Sequence, residues 1–232
     1  MSREVIRTKD FVADAASFIL NLAQNALAER GEFRLALSGG NTPRPVYSKL
    51  AQLGRELPWE RVLITFSDER CVPPDDEQSN YRMARESLFV PAGIPQKSIL
   101  RMRGEVEPRI AAQEYQTELD GLARERAESI YQHDLVILGL GEDGHTASLF
   151  PETSAVDETT ERVVANFVPK LQAWRLTFTF PLINHARDIC FLVNANKHSD
   201  LVERVLAGEP QYPAARVHPV SGHLTWILGE AA

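Results

Sequence analysis

The sequence predicts an α/β protein with a mostly parallel, doubly wound sheet covered by helices on both faces. Two observations carry this. Short apolar runs alternate along the chain with longer stretches of helical periodicity, the order that builds strand–helix–strand crossovers. Several runs, among them Leu135-Val136-Ile137-Leu138 and Ile189-Cys190-Phe191-Leu192-Val193, are apolar at every position, as strands buried on both faces are. Between residues 10 and 30, Phe11, Ala15, Phe18, Ile19, Leu22 and Ala26 recur at helical spacing, and Gly31 ends that helix. Phe33–Leu37 reads as the first strand of the sheet and runs into Ser38-Gly39-Gly40-Asn41-Thr42. Thr42 is placed as N-cap and Pro43 in the first turn of a helix reaching about Leu53. Val62–Phe66 is the next strand, ending in Ser67-Asp68-Glu69-Arg70; a loop with Pro73 and Pro74 leads to a helix over 80–89. A longer helix is expected over 108–129, then the strand Leu135–Leu138. Strands follow at 163–168, 175–180 and 189–193, a helix at 199–206, and a strand at 224–228 that closes the sheet. With no repeat, low-complexity tract or linker, residues 1–232 are read as one domain.

Composition narrows the function classes. Of 232 residues, 25 are Lys or Arg and 32 are Asp or Glu, a formal net charge of −7. With 44% hydrophobic and 25% charged residues, the chain has the balance of a folded globular protein. An acidic total without a basic block argues against a dedicated nucleic-acid binder, whose affinity rests on neutralising phosphates. A local cluster of Arg and Lys still suits a small phosphorylated ligand. No apolar run approaches the ~20 residues needed to span a bilayer, and no secretory signal follows Met1-Ser2-Arg3-Glu4-Val5. The expectation is a cytoplasmic protein with no membrane or nucleic-acid partner, a monomer or weak homo-oligomer. Cys71 in a polar loop and Cys190 in an apolar strand are expected to be reduced.

Ligands of open α/β sheets bind outside the carboxyl ends of the strands. Three polar segments fall at such ends, 38–42, 67–70 and 139–145, and are expected to converge on one crevice. In Ser38-Gly39-Gly40-Asn41-Thr42 the glycines admit close approach, and the free N–H groups of a helix start favour an anion such as phosphate. A plain tight turn capped by Thr42 is the alternative. Gly139-Leu140-Gly141-Glu142-Asp143-Gly144-His145 fits the G-x-G-x-x-G spacing of dinucleotide sites. Pro151 comes too soon for the crossover helix such a site needs, and a nucleotide loop has no need of Asp143 and His145. His145, with an acid two residues before it, is a candidate general base; a histidine bonded only to backbone is the alternative. Asp68-Glu69-Arg70 is either a surface ion-pair run or the source of a guanidinium for a phosphate or an oxyanion. Lys170 follows one strand and Arg175 starts the next, which makes both candidate phosphate ligands. His133, His185, His198, His218 and His223 show no metal-ligand spacing, and C-x-x-C, H-E-x-x-H and G-x-S-x-G are all missing. What remains is a site with no metal and no covalent nucleophile.

Leu37-Ser38-Gly39-Gly40-Asn41-Thr42-Pro43, Ser67-Asp68-Glu69-Arg70-Cys71-Val72-Pro73, Ser79-Asn80-Tyr81 and Gly-Glu-Asp-Gly-His-Thr-Ala-Ser-Leu-Phe-Pro at 141–151 together resemble the 6-phosphogluconolactonase family. The likeness runs nearly end to end, through Val168-Pro169-Lys170, Arg175-Leu176-Thr177 and Leu224-Thr225-Trp226. It implies a three-layer α/β/α sandwich around a mostly parallel doubly wound sheet, similar to the sugar-phosphate isomerase/deaminase fold. It also implies hydrolysis of 6-phospho-D-glucono-1,5-lactone to 6-phospho-D-gluconate in the oxidative pentose phosphate pathway, without a cofactor. On that reading the phosphate lies on Ser38, Gly39, Gly40, Asn41 and Thr42, braced by Lys170 and Arg175. His145 activates water, Asp143 orients His145 or the water, and Arg70, held by Asp68, stabilises oxyanion or substrate. Glucosamine-6-phosphate deaminase shares the Ser-Gly-Gly loop and the Asp-Gly-His core. It differs in having Glu-Tyr after the aspartate, where this chain has Glu69-Arg70, and a glutamate before the proline, where this chain has Phe150. Ring opening of an amino sugar needs a proton relay through that carboxylate; lactone hydrolysis does not. Leu171-Gln172-Ala173-Trp174 stands where the family commonly has a proline-rich stretch. A sugar-phosphate-sensing regulator on the same fold usually carries a helix-turn-helix, for which a first sheet strand at Phe33 leaves no room.

Overall fold

The apolar runs resolve into two sheets rather than one. The computed structural model describes residues 2–194 and 199–229, so His198 lies outside the described residues. Numbered in chain order, strands β1 (Ser2–Thr8), β2 (Phe33–Leu37), β3 (Val62–Phe66), β5 (Leu135–Leu138), β8 (Asp188–Asn194) and β9 (His223–Gly229) form a six-stranded sheet. Its order is β1-β9-β8-β5-β2-β3, parallel at every pairing. Strands β4 (Asp68–Arg70), β6 (Val163–Val168) and β7 (Ala173–Phe178) form an antiparallel sheet in the order β4-β7-β6. The helices are α1 (Phe11–Arg30), α2 (Pro43–Leu53), α3 (Asn80–Ala84), α4 (Val90–Ala92), α5 (Pro108–Glu125), α6 (Phe180–Ile183) and α7 (Ser199–Leu206). A π-helical turn, Arg85–Phe89, joins α3 to α4.

Period-two alternation explains the layers. On β2, Phe33, Leu35 and Leu37 point into one core and Ala36 into the other; on β5, Leu135 and Ile137 oppose Val136 and Leu138. With both faces covered, the strands stay apolar throughout. One core is closed by α1, α2 and α3, the other by α5, α7 and the small antiparallel sheet. The expected three layers are present, with strands as well as helices in the third.

Several expectations need correction. The first strand is β1, not the one at Phe33, and β1 rather than the strand at 224–228 forms the sheet edge, since β9 lies between β1 and β8. Arg3, Glu4 and Arg7 hid β1 from a hydrophobicity reading, and charge is how edge strands are kept from pairing with other chains. The triplet 68–70 is itself a strand of the second sheet, and the strands expected at 163–168 and 175–180, found at Val163–Val168 and Ala173–Phe178, belong with it, with Phe180 opening α6 instead. Thr42 sits at the N-cap position with helical backbone angles (φ −67°, ψ −47°) and makes no side-chain cap. Helix α1 has the length and apolar composition of a bilayer span, against the expectation that no segment would; its Ala15, Ala16, Ile19, Ala23 and Ala26 are packed into the core.

The sheet order positions the site. From β2 the chain moves outward to β3, whereas β5, β8 and β9 lie successively on the other side. The loops after β2 and β5 therefore diverge at a topological switch point, which opens a crevice at the strand carboxyl ends.

Candidate active site

That crevice is a cleft of about 770 Å³ lined by all the residues singled out from sequence: Ser38, Gly39, Gly40, Asn41, Thr42, Asp68, Arg70, Asp143, His145, Lys170 and Arg175. Ser148, Phe150 and Asn194, not singled out as site residues, line it too. Asn194 ends β8, so its place beside the site follows from the parallel sheet once β8 is known to neighbour β5.

The first wall is the loop after β2. Tyr47 on α2 fixes Ser38 from behind: its hydroxyl accepts from the Ser38 N–H (3.0 Å) and donates to the Ser38 carbonyl (2.9 Å). The Ser38 amide is thereby committed, while its Oγ is buried with no partner among the described residues. No hydrogen bond among the described residues takes the N–H groups of Gly39, Gly40, Asn41 or Thr42. Gly40 has φ +97°, a conformation that favours glycine. Gly39 is pressed by Asn80, whose Oδ1 is buried without a partner among the described residues and lies where a Cβ on Gly39 would fall.

The second wall is β4. Asp68 is held by Asn80 Nδ2 (3.2 Å to Oδ1) and by Ser148 Oγ (2.7 Å to Oδ2). The expected grip of Asp68 on Arg70 is not made; Arg70 donates to the Gln78 carbonyl instead (2.5 Å). Arg70 stands directly opposite Arg175 in the β4–β7 ladder, and neither guanidinium has an ion-pair partner among the described residues. Burial, with Arg70 beside it, lowers the Arg175 pKa. Two facing cations of this kind favour an anion between or above them. Beneath them Glu69 is almost fully buried (2% exposed). Its Oε1 accepts from the N–H of Arg70 (2.8 Å) and Asn80 (2.7 Å), and its Oε2 from the N–H of Tyr81 (2.8 Å) and from Ser79 Oγ (3.2 Å). Burial pushes this carboxyl up to about 7 against the pull of those donors.

The third wall is the glycine loop after β5. Gly141 donates to the His145 carbonyl (2.9 Å), closing a turn that points the imidazole into the cleft with 26% of its side chain exposed. Asp143 Oδ1 lies 2.5 Å from His145 Nδ1. A carboxylate there accepts the Nδ1 hydrogen, so in the neutral ring the lone pair lies on Nε2. Partial burial works to raise the Asp143 carboxyl, but the hydrogen bonds from His145 and Lys170 outweigh it and hold it well below the usual range. Phe150 stacks on the imidazole at 3.9 Å between ring centres. Lys170, expected at the phosphate, has its ammonium on Asp143 Oδ2.

A switch-point crevice, a glycine loop offering amides, a cationic pair and a carboxylate-oriented histidine make this the anion-binding cleft of an α/β protein, with an imidazole at its wall. Residues 7–226 match the model of the family described as glucosamine-6-phosphate isomerases/6-phosphogluconolactonase, and the chain belongs to that family. It is 41% identical over 211 residues to a 6-phosphogluconolactonase of Synechocystis sp., covering 89% of this chain and 86% of that protein. It is 34% identical over 225 residues to one of Nostoc sp., covering 95% and 92%. The crystal structure of 6-phosphogluconolactonase from Thermotoga maritima superposes with a TM-score of 0.86 at 29% identity, over 99% of this chain and 100% of that one.

Proposed function

We propose that this chain, acting as a single domain in the cytoplasm, as a monomer or weak homo-oligomer, hydrolyses 6-phospho-D-glucono-1,5-lactone to 6-phospho-D-gluconate in the oxidative pentose phosphate pathway. The observation that carries the reading is the Asp143–His145 pair, facing the same cleft as the uncommitted amides of the 38–42 loop. The substrate phosphate lies on the N–H groups of Gly39, Gly40 and Asn41 at the start of α2, beside the hydroxyls of Ser38 and Thr42. Arg175 and Arg70 neutralise its charge. Lys170 is left out of this set because Asp143 engages it. Anchoring the phosphate turns remote binding energy into orientation of the lactone carbonyl at His145. His145 Nε2 takes a proton from water as the water oxygen bonds to C1. The tetrahedral oxyanion forms within the field of Arg70, and C1–O5 then breaks as O5 takes that proton back. No metal, cofactor or covalent intermediate enters.

Adding purified protein to freshly generated lactone in a pH-stat should release acid well above the spontaneous rate. Ammonia released from glucosamine 6-phosphate instead would place the chain with the deaminases and overturn the reading. Two variants separate the parts of the site. A bulky residue at Gly40, such as Gly40→Val, is strained at φ +97° and should raise KM about tenfold or more with a smaller effect on kcat. An unchanged KM would put the anion elsewhere. A Cβ at Gly141 would fall on the His145 imidazole, so Gly141→Ala should lower kcat by about 10²-fold while KM holds. Full activity in that variant would show that the ring position is not critical.

A further inference from the structure

The turn between β6 and β7 gives Lys170 a place that phosphate binding does not explain. Pro169–Leu171 form a 3-10 turn, closed by Gln172 at φ +47° with its N–H on the Pro169 carbonyl (3.1 Å). The turn sets the Lys170 ammonium on Asp143 Oδ2, 4.7 Å from the centre of the Phe150 ring. Phe150 stacks on His145, and His145 is bonded to the other oxygen of Asp143. The four side chains close a circle of contacts around the imidazole.

We propose that Lys170 is a positioning residue for His145, clamping Asp143 and Phe150 around the ring, and not a ligand of the substrate phosphate. The proposal rests on the reading of His145 as general base. Asp143 is carried on a glycine loop and has two oxygens; with one on Lys170, the other is kept on Nδ1. Lys170 already has a carboxylate partner in Asp143, whereas Arg70 and Arg175 offer guanidiniums without one among the described residues. The ammonium also offsets the Asp143 charge, which without it would act on the imidazole uncompensated. Among the described residues, the other ionisable groups lining the cleft are Glu142 on the same loop as His145, Asp68 and Arg70 on β4 and Arg175 on β7, with Tyr212 packed under Gly144.

The Lys170 side chain is half exposed (51%), so Lys170→Met should fold normally. The acid limb of its kcat profile should move up by about one pH unit, making kcat about tenfold lower on the acid side. KM for the lactone should stay within about threefold, and Lys170→Arg should restore the limb. A KM raised tenfold or more with an unmoved limb would make Lys170 a phosphate ligand and overturn the proposal; so would a Met variant indistinguishable from the parent. An NMR titration of the His145 imidazole, assigned by its loss in His145→Gln, should show the same upward move without any substrate. That move in a protein inactive on the lactone would sink the proposed reaction while leaving the clamp standing; its absence would sink the clamp.

Discussion

Replacing His145 by alanine or glutamine should lower kcat by about 10²–10⁴-fold while KM changes little, the range expected when a positioned general base is removed. The structure makes this a clean substitution. The ring is partly exposed, it packs on Phe150 rather than in either core, and its loop is closed by the backbone bond from Gly141 to the His145 carbonyl. Steady-state kinetics on freshly made lactone, with circular dichroism to establish folding, decides it. Near-normal turnover in a folded variant would remove His145 from the mechanism.

The largest expected effect on stability comes from Glu69. Glu69→Ala would strip partners from three backbone N–H groups and the Ser79 hydroxyl in a buried setting, at about 3–5 kcal/mol. In a protein of this size that is a fall in Tm of roughly 6–20 °C. The carboxyl also imposes a pH dependence with a definite sign. Its folded-state pKa, about 7, is above the ordinary 4.5, so between those values the native state binds a proton that the unfolded chain has released. Its contribution is complete below pH 4.5, falls as the pH rises and is gone above pH 7, a change of about 3 kcal/mol from this group alone. Glu69→Gln should flatten that slope in urea unfolding measured from pH 4.5 to 8. A slope identical to the parent would show that Glu69 stays ionised throughout.

Where strands are buried on both faces, the chain announces them. Phe33–Leu37, Val62–Phe66 and Leu135–Leu138 occupy the residues their apolar runs indicate; Val163–Val168 does so too, although Phe167 is exposed. Burial pattern does not say which sheet a strand joins, so apolar runs alone do not separate β6 and β7, which pair with β4, from the strands of the parallel sheet. The strands missed outright, β1 and β4, are an edge with charged side chains and a polar triplet stabilised by ladder bonds and by Glu69 rather than by apolar contact. The site was legible because its parts follow strand ends, and strand ends of a parallel sheet share one side. Its internal wiring was not. Lys170 and Asp143 are far apart in sequence, and Arg70 reaches Gln78 instead of Asp68. Phe150 stood out as a substitution for a glutamate, but nothing in the sequence indicated that it stacks on His145.

The pairing of β1 with β9 joins residues 2–8 to residues 223–229. During synthesis β1 must wait for β9, because that hydrogen-bonding neighbour leaves the ribosome more than two hundred residues afterwards. Loop-closure entropy delays such a contact in refolding as well. The interval exposes an unpaired strand edge, and the charges of Arg3, Glu4 and Arg7 make that edge a poor template for other nascent chains. The residues that concealed the strand from a hydrophobicity reading are thus the ones that keep it soluble while it waits.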